Sequence, residues 1–223
     1  INRIISISLI FIFSTLLLSC KANFLMDAYS SDIFLDENVV TPAQMKVEIS
    51  SCTSDDRAKH EQKVLALFAS SSVAKIIDCQ REGMNSFLLV SINAEIASET
   101  SNSDLILFRE PTGEIEYDGE MYQQVGIKPV ISEKFLQRVD TFMSESMQSL
   151  SYKDVTIEVS LNNDERDVVL VTGYDLWVDG QPYDEFNQLL ARRQKLNLSF
   201  SNVISDLILQ GKFPKAFYVS RKK

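Results

Sequence analysis

Histidine and tryptophan each occur only once in this chain of 223 residues. A Ser-His-Asp or Cys-His nucleophile system needs an imidazole base, and His60 alone is available for it. His60 lies in a charged stretch, Asp55-Asp56-Arg57-Ala58-Lys59-His60-Glu61, which reads as a solvated helix face. No G-x-S-x-G elbow surrounds a serine, and no P-loop or GxGxxG turn is present to cradle phosphates. Seven glycines and five prolines are too few for a collagen-like or low-complexity chain. The three cysteines have no CxxC spacing, which argues against zinc. The sequence therefore implies no metal, no cofactor and no catalytic residue that can be named.

Basic charge is also in short supply. Lys and Arg number 22 against 31 Asp and Glu, a net charge of −9. Such a surface disfavours a nucleic-acid partner, which needs a basic patch to displace counterions. The one basic cluster, Arg221-Lys222-Lys223, is expected to be a solvated end. With 45% hydrophobic residues the chain can bury a substantial core.

A long apolar run occurs once, over residues 4–18, broken only by serines and a threonine. At about 1.5 Å per residue it reaches roughly 22 Å, short of the ~30 Å hydrocarbon core. Arg3 before it and Ser19 after it match a cleaved export signal rather than a membrane span. The run ends Leu17-Leu18-Ser19-Cys20, which resembles the lipobox of bacterial lipoproteins. The resemblance implies cleavage between Ser19 and Cys20, diacylglycerol on the Cys20 sulfur and a further palmitate-like acyl chain on the new amino group. Two or three acyl chains hold a membrane stably. It also implies a place in the cell envelope. Lys21, where Asp would mark inner-membrane retention, implies sorting to the outer membrane.

With Cys20 lipidated, Cys52 and Cys79 remain, and an even remainder in an oxidising compartment reads as one disulfide. Two buried free thiols are the alternative.

Residues 20–43 read as a lipidated tether, with Ser30-Ser31-Asp32 capping a short turn and Thr41-Pro42 leading into the folded part. Residues 44–223 read as one globular region, with the option of two lobes meeting near residue 124. Alternating apolar residues predict strands over 45–49, 74–78, 87–96, 105–108, 115–117, 155–161, 168–178, 196–200 and 216–219. Pro111-Thr112-Gly113 is expected to turn the chain between the fourth and fifth of these. The strands 155–161 and 168–178 are expected to pair as a hairpin across the polar residues 162–167. Asp118-Gly119 is a further hairpin signal, and Asp179-Gly180 turns the chain. Helices are expected from Ser54 or Asp55 through Val64, Leu65, Leu67 and Phe68, and from Ser132 through Phe135, Leu136, Val139, Phe142, Met143, Met147 and Leu150. Two more are expected, from Asp184 through Phe186, Leu189 and Leu190, and from Ser201 or Asn202 to a cap at Gly211. This order predicts an α+β fold, a largely antiparallel sheet with several packed helices.

The acidic pairs Asp36-Glu37, Asp55-Asp56 and Asp164-Glu165 sit in polar turns or a helix start and read as solvated. The turn Asn162-Asn163-Asp164-Glu165 lacks the spacing of an EF-hand loop. Trp177-Val-Asp-Gly-Gln-Pro-Tyr183 puts two aromatics beside a tight turn. Exposed, they form a small binding patch; the expectation is burial.

Lys21, the run Thr41-Pro42-Ala-Gln-Met-Lys-Val-Glu-Ile-Ser-Ser-Cys52 and the segment Val178-Asp-Gly-Gln-Pro-Tyr183 together resemble uncharacterised lipoproteins of gammaproteobacteria and their prophages. That resemblance implies a role at the cell surface, such as excluding other phages. The expected function is a non-enzymatic binding or interaction module, held to the membrane by lipid on Cys20 and meeting an envelope protein partner. The alternative is a lipid-anchored envelope hydrolase that uses acidic residues.

Overall fold

A computed structural model describes residues 21–68, 73–98, 101–144, 155–212 and 215–223. The expected signal over 1–19 lies outside these residues, as do Cys20, Met147 and Leu150. In chain order the elements are β1 (Ala22–Tyr29), α1 (Ser30–Ile33), β2 (Val39–Ile49), α2 (Ser54–Leu67), β3 (Lys75–Glu82), β4 (Asn85–Ala97), β5 (Leu105–Tyr117) and β6 (Glu120–Ile131). There follow α3 (Glu133–Ser144), β7 (Val155–Asn162), β8 (Val169–Val178), β9 (Gln181–Leu190), β10 (Lys195–Phe200), α4 (Asn202–Leu209) and β11 (Phe217–Lys222). No helix among the described residues is long and apolar enough to cross a membrane.

All eleven strands join one mixed sheet, ordered β10-β7-β1-β2-β4-β5-β6-β11-β8-β9, with β3 added on β4. β10 also pairs with β8, so the hydrogen-bonded path returns on itself. Two strands make the corners. β9 holds one edge of β8 along its whole length. The other edge therefore serves β11 at residues 169–173 and then β10 at residues 176–178. Asp175, between the two stretches, has a φ of 51°. β4 works in the same way: β2 takes one edge, and the other serves β3 and then the start of β5. Strands that change partners at corners let a sheet fold over its own inner face.

That inner face is apolar. Ala22, Phe24, Met26 and Ala28 of β1 are buried, as are Leu88, Val90, Ile92, Ala94 and Ile96 of β4 and Val155, Ile157, Val159 and Leu161 of β7. These alternate with polar or half-buried residues on the outer face, the period of a half-buried strand. The helices pack on the same core. Phe135 of α3 meets Phe24 at 5.9 Å and Phe68 at 5.0 Å between ring centroids. α4 touches both β7 and β6, which are well separated in the sheet order, so it closes the space between them.

Several expectations hold locally. Ser132 caps α3, accepting a bond from Phe135 N at 3.1 Å. Ser201 caps α4, and Gly211 ends it, with Gly211 N bonded to Ile208 O and Lys212 N to Leu207 O. Both Asp-Gly turns have two positive φ values, 52° and 75° at Asp118-Gly119 and 48° and 80° at Asp179-Gly180. Such turns match the twist of the strands they join.

Other expectations need correction. The α+β class with several packed helices gives way to a large mixed sheet that has, among the described residues, four short helices and two parallel pairings, β1 with β7 and β4 with β5. Residues 20–43 are not a tether from Lys21 onward, because β1 is an interior strand between β7 and β2. Residues 105–117 form one strand, and Pro111-Thr112-Gly113 is a bulge within it rather than a turn. β7 and β8 do not pair. Both edges of β7 are taken by β1 and β10, which leaves none for β8. Residues 184–190 belong to strand β9 rather than a helix. Phe186 and Leu190, four apart, fit either period, and hairpin pairing with β8 decides. α2 has Thr53 at its N-cap position rather than Ser54 or Asp55, with no bond from the Thr53 side chain to the first turn. Residue 124 falls inside β6, where no lobe boundary can lie. The basic end is solvated as expected, with Lys222 and Lys223 exposed, but it is held in place: Arg221 and Lys222 belong to β11, Arg221 lies over the Phe34 ring at 4.6 Å, and Lys222 and Lys223 pair with Glu120 and Glu114.

Candidate functional site

The β8–β9 hairpin is the first candidate surface. Tyr174, Trp177 and Tyr183 are 55%, 42% and 42% exposed, so the expected burial of Trp177 and Tyr183 is corrected. Trp177 stands opposite Pro182 and Tyr174 opposite Glu185. Tyr183 packs edge-on against Phe186, with centroids 5.2 Å apart. From Val169 to Leu190 the hairpin has four acidic residues, Asp175, Asp179, Asp184 and Glu185, and no basic one. Asp179 is committed to the turn, where it holds Asn197 through its amide and side chain. Among the described residues no strand pairs with the outer edge of β9. That edge leaves main-chain donors and acceptors open to another chain.

A second surface is an open polar groove of about 460 Å³ on the outer face of the sheet, where Lys21, Asn23, Lys46, Phe87, Thr156 and Asn202 lie together. Phe87 forms part of its floor, with the Lys46 ammonium 4.5 Å over its ring. Lys46 also pairs with Glu82 at 2.6 Å.

The third site is a polar hub under α1. Arg109 is 3% exposed and donates to Asp32 O at 2.7 Å and Glu37 O at 2.6 Å. Burial lowers the affinity of its guanidinium for a proton, and Asp36, Asp32 and Glu37 oppose the shift. Asn163 is 1% exposed and fully used: Oδ1 accepts from Ser30 Oγ and Glu165 N, and Nδ2 donates to Asp167 O and Leu190 O. Asp164 accepts from Ser30 Oγ, Ser31 N and Ser31 Oγ at 3.0, 2.9 and 2.6 Å. Partial burial alone would raise its pKa, but the bonds from Ser31 and Ser30 outweigh it and hold the carboxyl below the ordinary value. For Asp32, burial and the nearby Asp164 charge act upward and prevail over Arg109.

A depressed carboxyl contributes stability above its unfolded pKa and loses it as pH falls through the lower folded value. Wild-type protein should therefore lose stability relative to Asp164→Asn as pH falls below about 4, the ordinary carboxyl value. Asp164 is solvent-exposed, so screening keeps the difference to about 1 kcal/mol or less. Urea unfolding of both proteins at pH 7 and pH 3 checks this. An unchanged gap between them would show that the bonds to Ser30 and Ser31 do not depend on the charge.

The family model described as Domain of unknown function (DUF7424) matches residues 23–223. The chain belongs to this family. No curated protein and no solved structure matches it. The DUF7424 match begins in β1, at Asn23, which agrees with that strand lying inside the sheet rather than in a leader.

Within the DUF7424 domain, Cys52 and Cys79 form a disulfide with Cα atoms 5.8 Å apart. It joins the chain after β2 to the middle of β3. His60 is not a solvated residue. It is half-buried on α2, lies 2.8 Å from Ser50 Oγ, and meets the Phe142 ring edge-on at 6.4 Å. A serine on an imidazole is the start of a nucleophile–base pair, but neither residue lines the polar groove. Of the acidic pairs, Asp36 and Glu37 lie beside Arg109 and Asp164 on Ser30 and Ser31, all at the hub under α1, with Glu165 4.0 Å from Arg221, while the side chains of Asp55 and Asp56 lie outside the described residues. Among the described residues no group of three or more His, Cys, Asp or Glu side chains is placed to hold a metal ion. Lys21, read as a sorting residue, opens the first strand pairing, and Cys20 before it lies outside the described residues. The hub and the free β9 edge had no signal in the sequence, because each depends on loops or edges that meet only after folding.

Proposed function

We propose that this DUF7424 protein is a lipid-anchored envelope module that binds an extended, basic segment of a partner protein along the β8–β9 hairpin. The observation that carries the reading is the hairpin itself: three exposed aromatics, unpaired acidic side chains and an uncovered strand edge within one short segment. A partner strand can add to the β9 edge through main-chain bonds, as in β-augmentation. Its Lys or Arg side chains would meet Asp184, Glu185 and Asp175; Tyr183, opposite Leu176, offers its ring to cations on one face of the hairpin, and Trp177, opposite Pro182, on the other. Acidic charge also steers a basic partner, with salt-dependent association. The lipid expected on Cys20 confines the module to one membrane, the outer membrane if Lys21 directs sorting, and raises its effective concentration toward neighbours there.

Trp177 is the sole tryptophan and reports from inside the surface. Titrating the mature protein with an extended Lys/Val peptide should shift its fluorescence, and the matching Glu/Val peptide should not. Asp184→Asn with Glu185→Gln should weaken binding about tenfold, near 1.4 kcal/mol, and proline at alternate peptide positions should abolish it. Equal binding of both peptides, or of the proline peptide, refutes strand addition. Turnover of an envelope substrate at an enzymatic rate would instead favour the hydrolase reading.

A further inference from the structure

Along β8 the core side takes Val169, Val171 and Gly173, then resumes at Leu176 and Val178. A Cβ at Gly173 would stand 2.1 Å from Leu176 Cδ2, so Leu176, three residues on, lies on Gly173's face of the sheet. The alternation therefore slips by one residue at Asp175, where φ is 51°, and Tyr174 and Asp175 are both left exposed. β9 slips with it. Tyr183, opposite Leu176, packs on Phe186, three residues further on, which turns Asp184 and Glu185 together to the outer face. Glu185 stands opposite Tyr174. The outer face here gathers Tyr174, Asp175, Asp184 and Glu185, where strict alternation would split each neighbouring pair between two faces.

From Glu185 onward the alternation is regular. With Phe186 and Leu190 in the core, Asn187 and Leu189 share the outer face. Leu189 is one wall of a second acidic place, an open cleft of about 350 Å³ where β9, the residues before β8 and the β5–β6 turn meet the end of β11. Val168 and Leu189, 39% and 45% exposed, give it apolar walls, and Tyr117 adds a ring. It holds three carboxylates, Asp118, Glu120 and Asp167, to one ammonium, Lys222, which pairs with Glu120. Asp118 and Asp167 are exposed and open to a ligand. A long basic side chain suits such a cleft, its stem on Val168 and Leu189 and its cation at the carboxylates.

Glu185 and Leu189 are four residues apart on one face, about 14 Å at 3.4 Å per residue. A partner strand can pair with β9 only between Pro182, which has no N–H to give, and Leu190, whose carbonyl is taken by Asn163. Side chains directly opposite each other in paired strands share a face. On the reading that a basic strand adds to β9, we infer that this strand carries two basic residues four positions apart. One lies opposite Glu185, beside Tyr174. The other lies opposite Leu189, with its cation in the cleft. Cations three positions apart point to opposite faces of a strand, so only one of them can be placed.

The test uses nine-residue peptides of Thr and Val with two lysines, either four or three positions apart, equal in composition and charge. Their affinities for the mature protein are measured by calorimetry at one ionic strength, beside the alternating Lys/Val peptide. The four-apart peptide should bind at least tenfold tighter than the three-apart one. Asp118→Asn with Asp167→Asn should bring the two within twofold of each other. Asn readily adopts the left-handed backbone found at residue 118, so the turn is kept. A general loss of negative charge would weaken both peptides alike, so their ratio reports the cleft and not steering. Equal or reversed affinities in wild type, or a ratio unchanged in the variant, overturn the spacing. If the alternating peptide still binds in that case, strand addition to β9 stands without it. An alternating peptide that fails to bind removes strand addition and the spacing together.

Discussion

Replacing Cys52 and Cys79 together by serine is expected to cost roughly 3–4 kcal/mol of stability, the chain-entropy value for a closed loop of about 28 residues. The position of the bond makes this a large fraction of what holds its neighbourhood. β3 pairs with β4 alone, and most of its side chains are exposed, so little apolar burial keeps it in place. The disulfide ties the middle of that strand to the chain just after β2, across α2. Urea unfolding of wild type, wild type under reductant and the double variant should give one high midpoint and two that coincide below it. Hydrogen exchange should rise most in β3 and least in β1, which is covered on both edges. A loss below about 1 kcal/mol would mean that the reduced chain already keeps the two ends together. Alkylation without reduction should label neither cysteine. Two labelled thiols would remove the disulfide from the native protein and weaken the oxidising compartment inferred from it.

Local signals were legible in the sequence where one short segment sets the geometry. Ser132, Ser201, Gly211 and the two Asp-Gly turns act through their own neighbours, and each does what its chemistry predicts. Strand pairing was not legible even where a tight turn forces it: Asp179-Gly180 marks the turn after β8, but residues 184–190 read as a helix, and the hairpin makes them β9. β7 and β8 alternate clearly, but the partners that take both edges of β7 come from residues 22–29 and 195–199. Alternation fixes which face is buried and says nothing of which edge is shared. β1 was missed for a different reason. Ala22, Phe24, Met26 and Ala28 alternate as a strand should, but their closeness to the expected lipid site favoured a tether. The exposure of Trp177 and Tyr183 was open for the same physical cause: aromatics beside a turn are covered or not according to elements elsewhere, and here nothing described lies over them. Arg109 could not be assigned from the sequence either, since its partners are main-chain carbonyls 72 and 77 residues away.

Asn163→Ala is expected to cost about 3 kcal/mol, more than a typical surface change, because four hydrogen bonds end on one buried amide. Its Oδ1 and Nδ2 join α1, the loop after β7 and the last residue of β9. Truncation would leave the carbonyls of Leu190 and Asp167 and the amide of Glu165 to find other partners, and an unmade buried bond costs about 1–3 kcal/mol. Members of a connected network also support one another, so the loss should exceed that of a single bond. Asn163→Asp separates the donors from the acceptors. It keeps Oδ1 but sets a carboxylate against two carbonyls and beside Asp164, so it should be at least as harmful at pH 7. Protonation would restore one donor, and the gap to wild type should narrow as pH falls toward 4. Asn162→Ala is the control: its partly buried side chain donates to Ser160 O and Ala28 O, at 3.1 and 3.5 Å, and should matter by less than about 1 kcal/mol. Urea unfolding at pH 7 and pH 4 separates these cases. The hub also fixes the far end of the proposed binding strand through Leu190 O, so Asn163→Ala should weaken the basic peptide as well, under conditions where the protein is still folded. A variant within 1 kcal/mol of wild type that binds the peptide normally would show that the loops hold β9 without the amide.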